Sequence, residues 1–266
     1  MTRSVPIALA AVVERLELDQ PEIVTLKQLT RLANELEVRT APALVAHRLQ
    51  TLGWLLKTGL SGAWEFAPGA HAGPHSRGGP LLPIKAALAL MPDLPAAVAL
   101  NSAAWVHGLA DRTPPKIQVA VKSGARVPAG LVRKVQVLRF DARLDPVKRK
   151  GVPVQRFETL LVHMAARPSR VKPWADVVEW LADIVAEAVE AEVLLELEDR
   201  PRAVPVRLAY LLQGLWPELS ERIGSGTTTK VWFGPREKLR RHSQRWHVAD
   251  SLLPFDPAKL PRVRGD

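Results

Sequence analysis

Residues 39–66, RTAPALVAHRLQTLGWLLKTGLSGAWEF, constrain the fold most, because a helix pattern passes directly into a hairpin pattern. Pro42 suits the first turn of a helix and Gly53 suits its end. Two short strand-like runs follow, and the connection between them begins at Gly59 and ends at Gly62. Glycine at both ends is typical of a hairpin whose turn needs positive φ. The stretch therefore predicts a helix followed by a two-stranded hairpin.

Two further helices are predicted before this stretch. Apolar residues at helical spacing predict the first over residues 7–16, and Thr25 is a natural N-cap for the second, TLKQLTRLANEL, at residues 25–36. The third helix is predicted over residues 40–52. Helix, helix, helix, hairpin is the order of a winged helix-turn-helix, so we expect a DNA-binding domain of that type over residues 1–66.

The remaining chain predicts a linker and a second domain. Residues 67–83, APGAHAGPHSRGGPLLP, contain four glycines and four prolines without periodicity, which indicates a Gly/Pro-rich linker. Residues 84–266 alternate between strand-like and helix-like runs. We therefore expect the fold class α+β, with an N-terminal winged helix-turn-helix domain and a larger mixed α/β C-terminal domain whose strand order the sequence does not reveal.

The charge pattern points to a polyanionic partner. The net charge is +10, yet residues 1–66 carry equal numbers of acidic and basic residues. Basic residues dominate at 67–173, acidic residues at 174–200, and basic residues again at 201–266. The pattern indicates either a polyanion such as nucleic acid or two opposed faces of one domain. The simpler alternative is that these are solvated faces.

The predicted third helix has an outer face suited to the floor of a DNA groove. Val45, Leu49 and Leu52 lie on one side at 100° per residue and predict the buried stripe. The opposite side carries small, amide or imidazole side chains: Thr40, Ala43, His47 and Gln50. Gln50 can form a bidentate pair with adenine, and His47 can donate to guanine or to a phosphate. Ala43 can contact a thymine methyl group.

Cations near this helix are predicted to contact phosphates. Arg39 and Lys57 flank the helix along the chain, and Arg48 lies at the edge of its buried stripe, where it either contacts phosphate or packs. The helix start at Thr40 adds an anion site. The full predicted DNA-binding set is Arg39, Thr40, Ala43, His47, Arg48, Gln50, Lys57, Gly59 and Ser61. Because residues 1–66 have no net charge, a winged helix that binds a protein partner is the alternative.

Seven stretches of the chain are characteristic in sequence and order: TLKQLTRLANEL, LGWLLKTGLSGAWEFAP, NSAAWVHGL, IQVAV, GVPVQRFETLLVHMA, VRLAYLLQGL and WHVADSLLP. Together they resemble the AbiEi-type antitoxins, the antitoxin and regulator half of abortive-infection toxin–antitoxin systems. The resemblance implies an N-terminal winged helix that represses its own promoter through inverted repeats. It also implies a C-terminal domain that neutralises a nucleotidyltransferase-like toxin, with no catalytic residue. By position, residues 40–52 and the hairpin around Gly59 match the DNA-reading element of the family.

A basic run distinguishes this chain from relatives that concentrate cations on the winged helix. Its members are Arg126, Arg133, Lys134, Arg139, Arg143, Lys148, Arg149, Lys150 and Arg156. The run either extends the DNA surface through phosphate contacts or meets nucleic acid bound by the toxin. Alternatively it is a solvated face against the acidic block at residues 176–199. The predicted secondary nucleic-acid contacts are Arg126, Arg133, Lys134, Lys148, Arg149 and Lys150.

No constellation predicts catalysis, a metal site or a cofactor. Ser102 and His107 are five residues apart on one predicted helix, about 140° around its axis, which excludes a nucleophile–base pair. His71 and His75 have metal-like spacing, but they lie in a Gly/Pro loop without a nearby carboxylate. No cysteine is present, so thiolate chemistry is excluded. An unrecognised nuclease remains the only enzymatic alternative.

The sequence predicts a cytoplasmic protein without a membrane segment. No run reaches the 18 or more apolar residues that a membrane helix needs, and the first apolar run contains Pro6 and lacks a signal-peptide cleavage site. We expect two copies side by side on an inverted-repeat operator, because one winged helix reads only a short half-site. The functional alternative is a protein-interaction module that restrains a partner enzyme without reading DNA.

Overall fold

The structure is a computed structural model, and it divides into two compact units. The described residues are 5–69, 78–224 and 229–264. The first unit consists of Met1–Pro95 and Gly124–Val137, and the second unit consists of Ala96–Ser123 and Leu138–Asp266. The chain therefore passes between the units three times.

The helices have the following bounds. They are α1 (Ile7–Asp19), α2 (Leu26–Glu35), α3 (Pro42–Thr51), α4 (Leu82–Leu90), α5 (Leu100–His107), α6 (Ala129–Lys134), α7 (Phe157–Ala166), α8 (Trp174–Glu187), α9 (Glu190–Leu197), α10 (Ala203–Leu212) and α11 (Pro217–Gly224). Two 3-10 turns, Pro168–Arg170 and Pro257–Lys259, complete the helical elements of the described residues.

The strands are short and form three sheets. They are β1 (Ile23–Thr25), β2 (Leu55–Lys57), β3 (Ala63–Phe66), β4 (Ala96–Val98), β5 (Gln118–Val121), β6 (Gln136–Arg139), β7 (Val147–Arg149), β8 (Val152–Val154), β9 (Val231–Phe233), β10 (Arg241–Ser243) and β11 (Val248–Asp250). The sheet orders are β1-β3-β2, β6-β5-β4-β8-β7 and β10-β11-β9. Mixed helices and sheets confirm the predicted class α+β.

The division into units differs from the predicted domain boundaries. The predicted domain of residues 1–66 is only part of the first unit, because α4 packs against β1 and β3, and α6 packs against α4. The segment 124–137, which contains α6, thus belongs to the first unit although residues on both sides of it belong to the second. The predicted linker lies partly outside the described residues, at 70–77.

The sheet of the first unit contains a strand that the sequence did not predict. β1 pairs antiparallel with β3, with Ile23 opposite Glu65, and β2 pairs antiparallel with β3 on its other side. β1 thus ties the start of α2 to the hairpin formed by β2 and β3.

The start of α2 follows the predicted capping chemistry. The Gln28 backbone N–H donates to Thr25 Oγ1 at 3.2 Å, and the Thr25 backbone N–H donates to Gln28 Oε1 at 2.7 Å. This reciprocal capping box satisfies two of the N–H groups that a helix start leaves free. The predicted N-cap at Thr25 is confirmed.

Two other predicted helix starts are wrong. α3 begins at Pro42 after Ala41, without a side-chain cap, so Thr40 precedes the helix instead of opening it. Pro42 replaces a cap because its φ is preset and it has no N–H to satisfy. The sequence NSAAWVHGL also predicts a helix over residues 101–109 that Asn101 caps. In the structure α5 begins at Leu100, whose N–H donates to the distant Gln155 Oε1 at 3.4 Å, so Asn101 is not its cap.

The core of the first unit joins the three N-terminal helices to the hairpin. α1 contributes Leu9, Val12, Val13 and Leu16, all buried. Leu29 of α2 and Leu49 of α3 are fully buried against them, and the rings of Trp54 and Phe66 stack with centroids 6.5 Å apart. Helical spacing of apolar residues thus produces one shared core.

A buried carboxylate organises part of the second unit. Glu196 of α9 is fully buried, and its carboxylate accepts hydrogen bonds from the backbone N–H groups of Arg143 and Leu144 at 3.0 and 3.1 Å. Thr159 Oγ1 donates to it at 3.1 Å and Arg200 Nη2 at 2.5 Å. A buried charge is tolerated when it is paired and hydrogen-bonded in this way.

A neutral histidine lies in the core of the second unit. His163 is fully buried, its ring stacks on Phe140 with centroids 4.0 Å apart, and its Nδ1 lies 2.9 Å from Gln155 Nε2. Burial, with smaller contributions from the positive charges of Arg167 and Arg200, lowers the pKa of His163 to about 3.

We expect this histidine to make the second unit sensitive to acid. The pKa of His163 falls from 6.5 to about 3 on folding, so the unfolded chain takes up a proton first as the pH decreases. Above pH 6.5 the histidine is neutral in both states and does not change the free energy of unfolding. As the pH falls from 6.5 toward 3, the free energy of unfolding decreases by about 1.4 kcal/mol per pH unit. Urea unfolding at several pH values measures the slope.

The variant His163→Gln should flatten that slope whatever its own stability. The matched control is His47→Gln, which changes an exposed histidine and should leave the slope as it is. An unchanged slope in His163→Gln would contradict the assignment.

Candidate nucleic-acid interface

The helix α3 has one buried side and one open side. Val45, Ala46 and Leu49 are buried in the core of the first unit. Ala43, His47 and Arg48 are exposed. The predicted orientation of this helix is thus present, with no described part of the chain covering His47.

The nine predicted DNA-binding residues are all in the first unit. The exposed ones are Arg39, Ala43, His47, Arg48, Lys57, Gly59 and Ser61. Thr40 and Gln50 are half-buried. The set is therefore accessible, except that two of its polar side chains are partly covered.

Gln50 has a partner that the sequence did not predict. Trp64 of β3 donates its Nε1–H to Gln50 Oε1 at 3.1 Å, which links α3 to the hairpin. Trp64 is half-buried and lies opposite Lys57 in the antiparallel pair of β2 and β3. Fourteen residues separate the two partners, so only the paired hairpin brings them together.

The cations around α3 are not neutralised by neighbouring acids. In the described part of the chain, no ion pair involves Arg39, Arg48 or Lys57. Other cations of the first unit are paired, Arg15 with Asp19 at 2.9 Å and Arg31 with Glu35 at 3.5 Å. Three unpaired cations therefore lie on α3 or on the chain segments just before and after it.

The turn of the hairpin is held in a fixed shape. Gly59 and Gly62 have φ of 88° and 82°, values that glycine adopts without strain. Thr58 Oγ1 donates to the Ala63 carbonyl at 2.9 Å and accepts from the Leu60 N–H at 3.2 Å. The predicted need for positive φ at both glycines is confirmed.

The helix α6 packs directly against this turn. A Cβ on Gly130 would lie 2.8 Å from the Gly59 carbonyl oxygen and 3.1 Å from Leu60 Cγ, so only glycine allows the two backbones to approach this closely. A Cβ on Gly59 would in turn lie 2.7 Å from Lys134 Cε. The side chain of Lys134 therefore runs along the turn.

Three of the six predicted secondary nucleic-acid contacts thus belong to the first unit. Arg126, Arg133 and Lys134 are exposed and lie within the segment 124–137, which contains no acidic residue. The sequence does not indicate this placement, since about seventy residues lie between Gly59 of the turn and Gly130 of α6. Gly130, the residue of closest approach, is the one local signal.

The other predicted secondary contacts belong to the second unit. Lys148, Arg149 and Lys150 are exposed on β7 and the turn that follows it, at the edge of the five-stranded sheet. Lys150 Nζ lies 4.7 Å from the ring centroid of Trp105. Cations on an edge strand also discourage unwanted strand pairing, so the two halves of the predicted set have different surroundings.

Part of the basic run forms ion pairs with the acidic block at residues 176–199, as expected if the run is a face that lies against that block. Arg143 Nη2 lies 2.7 Å from Asp199 Oδ2, and Arg156 Nη2 lies 2.6 Å from Glu192 Oε2. These two arginines stabilise the second unit internally. They are thus distinct from the three cations of the segment 124–137.

The described residues hold no cluster suited to bind a metal. Among them, no group of three or more His, Asp or Glu side chains lies close enough for that purpose. His71 and His75 lie outside the described residues.

Ser102 and His107 do not form a nucleophile–base pair. Ser102 Oγ accepts from the Gln118 N–H at 2.9 Å, and His107 Nε2 lies 2.8 Å from the Gln155 carbonyl, so the two side chains have separate partners. Burial is the main cause that lowers the pKa of His107.

A family model matches less than half of the chain. Residues 96–214 match the family described as AbiEi antitoxin C-terminal domain, so over this stretch the chain is similar to the AbiEi-type antitoxins. The resemblance found in the sequence is confirmed there. The members of this family are regulatory proteins, and an antitoxin has a toxin as its partner.

The whole chain is similar to a solved structure. The crystal structure of the RV2827C protein from Mycobacterium tuberculosis aligns with a TM-score of 0.81 at 28% sequence identity, over 94% of each chain. A comparison with curated proteins gives no match. In the described part of the chain, no helix has the length and apolar character needed to cross a bilayer.

Proposed function

We propose that this protein is a sequence-specific DNA-binding transcriptional regulator, the antitoxin of a toxin–antitoxin pair that represses its own promoter through an inverted repeat. The observation that carries the proposal is the open side of α3, where Ala43 and His47 are exposed beside the unpaired Arg48. Uncharged groups that reach base edges, flanked by cations that hold phosphates, are what major-groove recognition requires.

In this proposal the first unit is a winged helix-turn-helix. The helices α2 and α3 form the helix-turn-helix, and the hairpin β2–β3 is the wing. The three-stranded antiparallel sheet that joins β1 to the hairpin supports this, because it fixes the hairpin relative to α2. Residues 1–66 supply the reading element, and Arg126, Arg133 and Lys134 add phosphate contacts beside the wing.

The proposal includes partners. Two copies bind one inverted repeat, because a single winged helix covers only a half-site. The second unit, which contains most of the AbiEi match, opposes a nucleotidyltransferase-like toxin, directly or through shared nucleic acid. A regulator of this kind acts in the cytoplasm, where its promoter lies.

One observation favours the alternative of a protein-interaction module. Leu44, next to Ala43 on α3, is 43% exposed. An aliphatic side chain at this place also suits a protein partner. In that alternative α3 contacts a protein, and the second unit restrains an enzyme without DNA.

Mobility-shift titrations of the full chain distinguish the two proposals. The probes are the native upstream region of the gene and a random duplex of equal length. We expect His47→Ala and Gln50→Ala to reduce the preference for the native region while binding to random duplex changes little. Arg48→Ala and Lys57→Ala should instead weaken binding to both duplexes and lower the salt slope by about one unit for each lost phosphate contact.

The matched control is Arg31→Ala, because Arg31 is an exposed cation of the first unit that is already paired with Glu35. We expect it to leave both affinities nearly unchanged. Equal affinity of the unaltered protein for the native region and the random duplex would refute sequence-specific recognition and favour the interaction module.

A further inference from the structure

The hydrogen bond between Trp64 and Gln50 fixes the orientation of an amide at the proposed interface. Trp64 Nε1 lies 3.1 Å from Gln50 Oε1. An indole nitrogen can only donate, so the Gln50 atom that meets it must be the oxygen. The side-chain orientation of Gln50 thus follows from chemistry, and its NH2 group remains free of the indole.

The orientation decides which base edge Gln50 can recognise. A bidentate pair with adenine needs both the amide oxygen, which accepts from N6, and the NH2 group, which donates to N7. Here the oxygen is turned toward Trp64, which occupies one of its two lone pairs, so the amide is no longer free to align both its oxygen and its NH2 group with one base edge. The NH2 group by itself suits a base that offers acceptors only, and guanine presents two, O6 and N7, in the major groove. The sequence alone predicts adenine, because nothing in it indicates a partner for Gln50.

We infer that Trp64 is a positioning residue that determines base specificity, by holding Gln50 as a donor so that it selects guanine over adenine. The inference rests on the proposed function, since it concerns the same interface. Trp64 does not itself contact the base. It acts through Gln50, and both side chains are half-buried, so the amide is held before DNA binds.

The packing around Trp64 explains why its single hydrogen bond is enough to hold the orientation of the Gln50 amide. Trp64 lies on the central strand β3 of the three-stranded sheet, between β1 and β2. Its backbone is therefore fixed by two neighbouring strands, and its side chain packs against the core of the first unit. Gln50 lies near the C-terminal end of α3. Without the indole N–H, the Gln50 amide is free to turn over and to present oxygen and NH2 together.

The test measures base preference position by position. The full chain is titrated against the native upstream duplex and against duplexes in which each position of the bound half-site is replaced by the other three base pairs. Four forms are compared: the unaltered protein, Gln50→Ala, Gln50→Glu and Trp64→Phe. The last variant keeps an aromatic ring in the sheet and removes the donor together with the five-membered ring of the indole.

The expected pattern is specific to one position. The unaltered protein should prefer guanine over adenine there by about tenfold, and Gln50→Ala should abolish that preference. Trp64→Phe should reduce the preference about fivefold or more by admitting adenine. Gln50→Glu should shift it toward cytosine, because a carboxylate accepts from cytosine N4 and cannot donate. Binding to random duplex should remain the same in Gln50→Ala and Trp64→Phe, whereas Gln50→Glu should weaken it because the added negative charge repels the phosphates.

The control is Trp232→Phe, which alters a half-buried tryptophan of the second unit and should leave every position unchanged. The inference is overturned if the Gln50-dependent position prefers adenine in the unaltered protein, if no position depends on Gln50, or if Trp64→Phe retains the full guanine preference. Absence of any base preference in the unaltered protein is a different result, which refutes the proposed function itself.

Discussion

Replacing Arg126, Arg133 and Lys134 together by alanine should weaken DNA binding by about tenfold to a hundredfold and lower the salt slope by about two to three units. The three side chains are exposed, and no acidic residue accompanies them in the segment 124–137. α6 packs on the hairpin turn, which places Lys134 along Gly59. Loss of phosphate contacts removes affinity for all sequences, so operator preference should survive. Titrations at several salt concentrations measure both quantities.

A matched variant separates position from total charge. Alanine at Lys148, Arg149 and Lys150 removes the same number of exposed cations, but from the second unit. We expect that variant to change the salt slope much less. Equal losses in the two triple variants would show that net charge, and not the neighbourhood of the hairpin, determines the affinity.

Replacing Glu196 by alanine should destabilise the second unit by about 3–5 kcal/mol. The change leaves Arg200 without its carboxylate and removes the acceptor of the Arg143 and Leu144 N–H groups in a buried place. For a domain of this size the midpoint of thermal unfolding should fall by roughly 10 °C. Calorimetry, or urea unfolding followed by tryptophan fluorescence, measures the change.

The neighbouring Glu198 provides the control. Its side chain is 59% exposed and lies 3.9 Å from Arg143 Nη1, so Glu198→Ala should cost at most about 1 kcal/mol. A similar small loss in Glu196→Ala would mean that the buried network contributes little. The comparison removes one carboxylate in each case, so total charge does not explain a difference.

The sequence predicted elements whose signals are local. Thr25 and Gln28 identify the start of α2, and Gly59 and Gly62 identify the hairpin turn, because capping and positive φ depend on neighbouring residues. The strand β1 escaped prediction because three residues carry no periodicity and their role depends on pairing with β3. The open side of α3 was predicted from helical spacing, whereas its exact start at Pro42 was not.

Features that depend on distant partners could not be predicted. The Gln50 amide is oriented by Trp64, and nothing in the pattern of α3 indicates that bond. The sequence predicts the segment 124–137 as part of the second domain because its neighbours in sequence lie there, yet the segment packs with the hairpin. Its short helix α6 has too few residues for a clear apolar period. These are the placements that tertiary packing alone decides.

Because the chain passes between its units three times, the first unit cannot be exchanged between relatives as one continuous stretch. A hybrid that joins residues 1–95 of one relative to the remainder of another would combine a hairpin with a foreign α6, and the fit at Gly130 would be lost unless that glycine is shared. Exchange of the first unit between relatives therefore has to carry two separate stretches of gene together. A single crossover does not suffice.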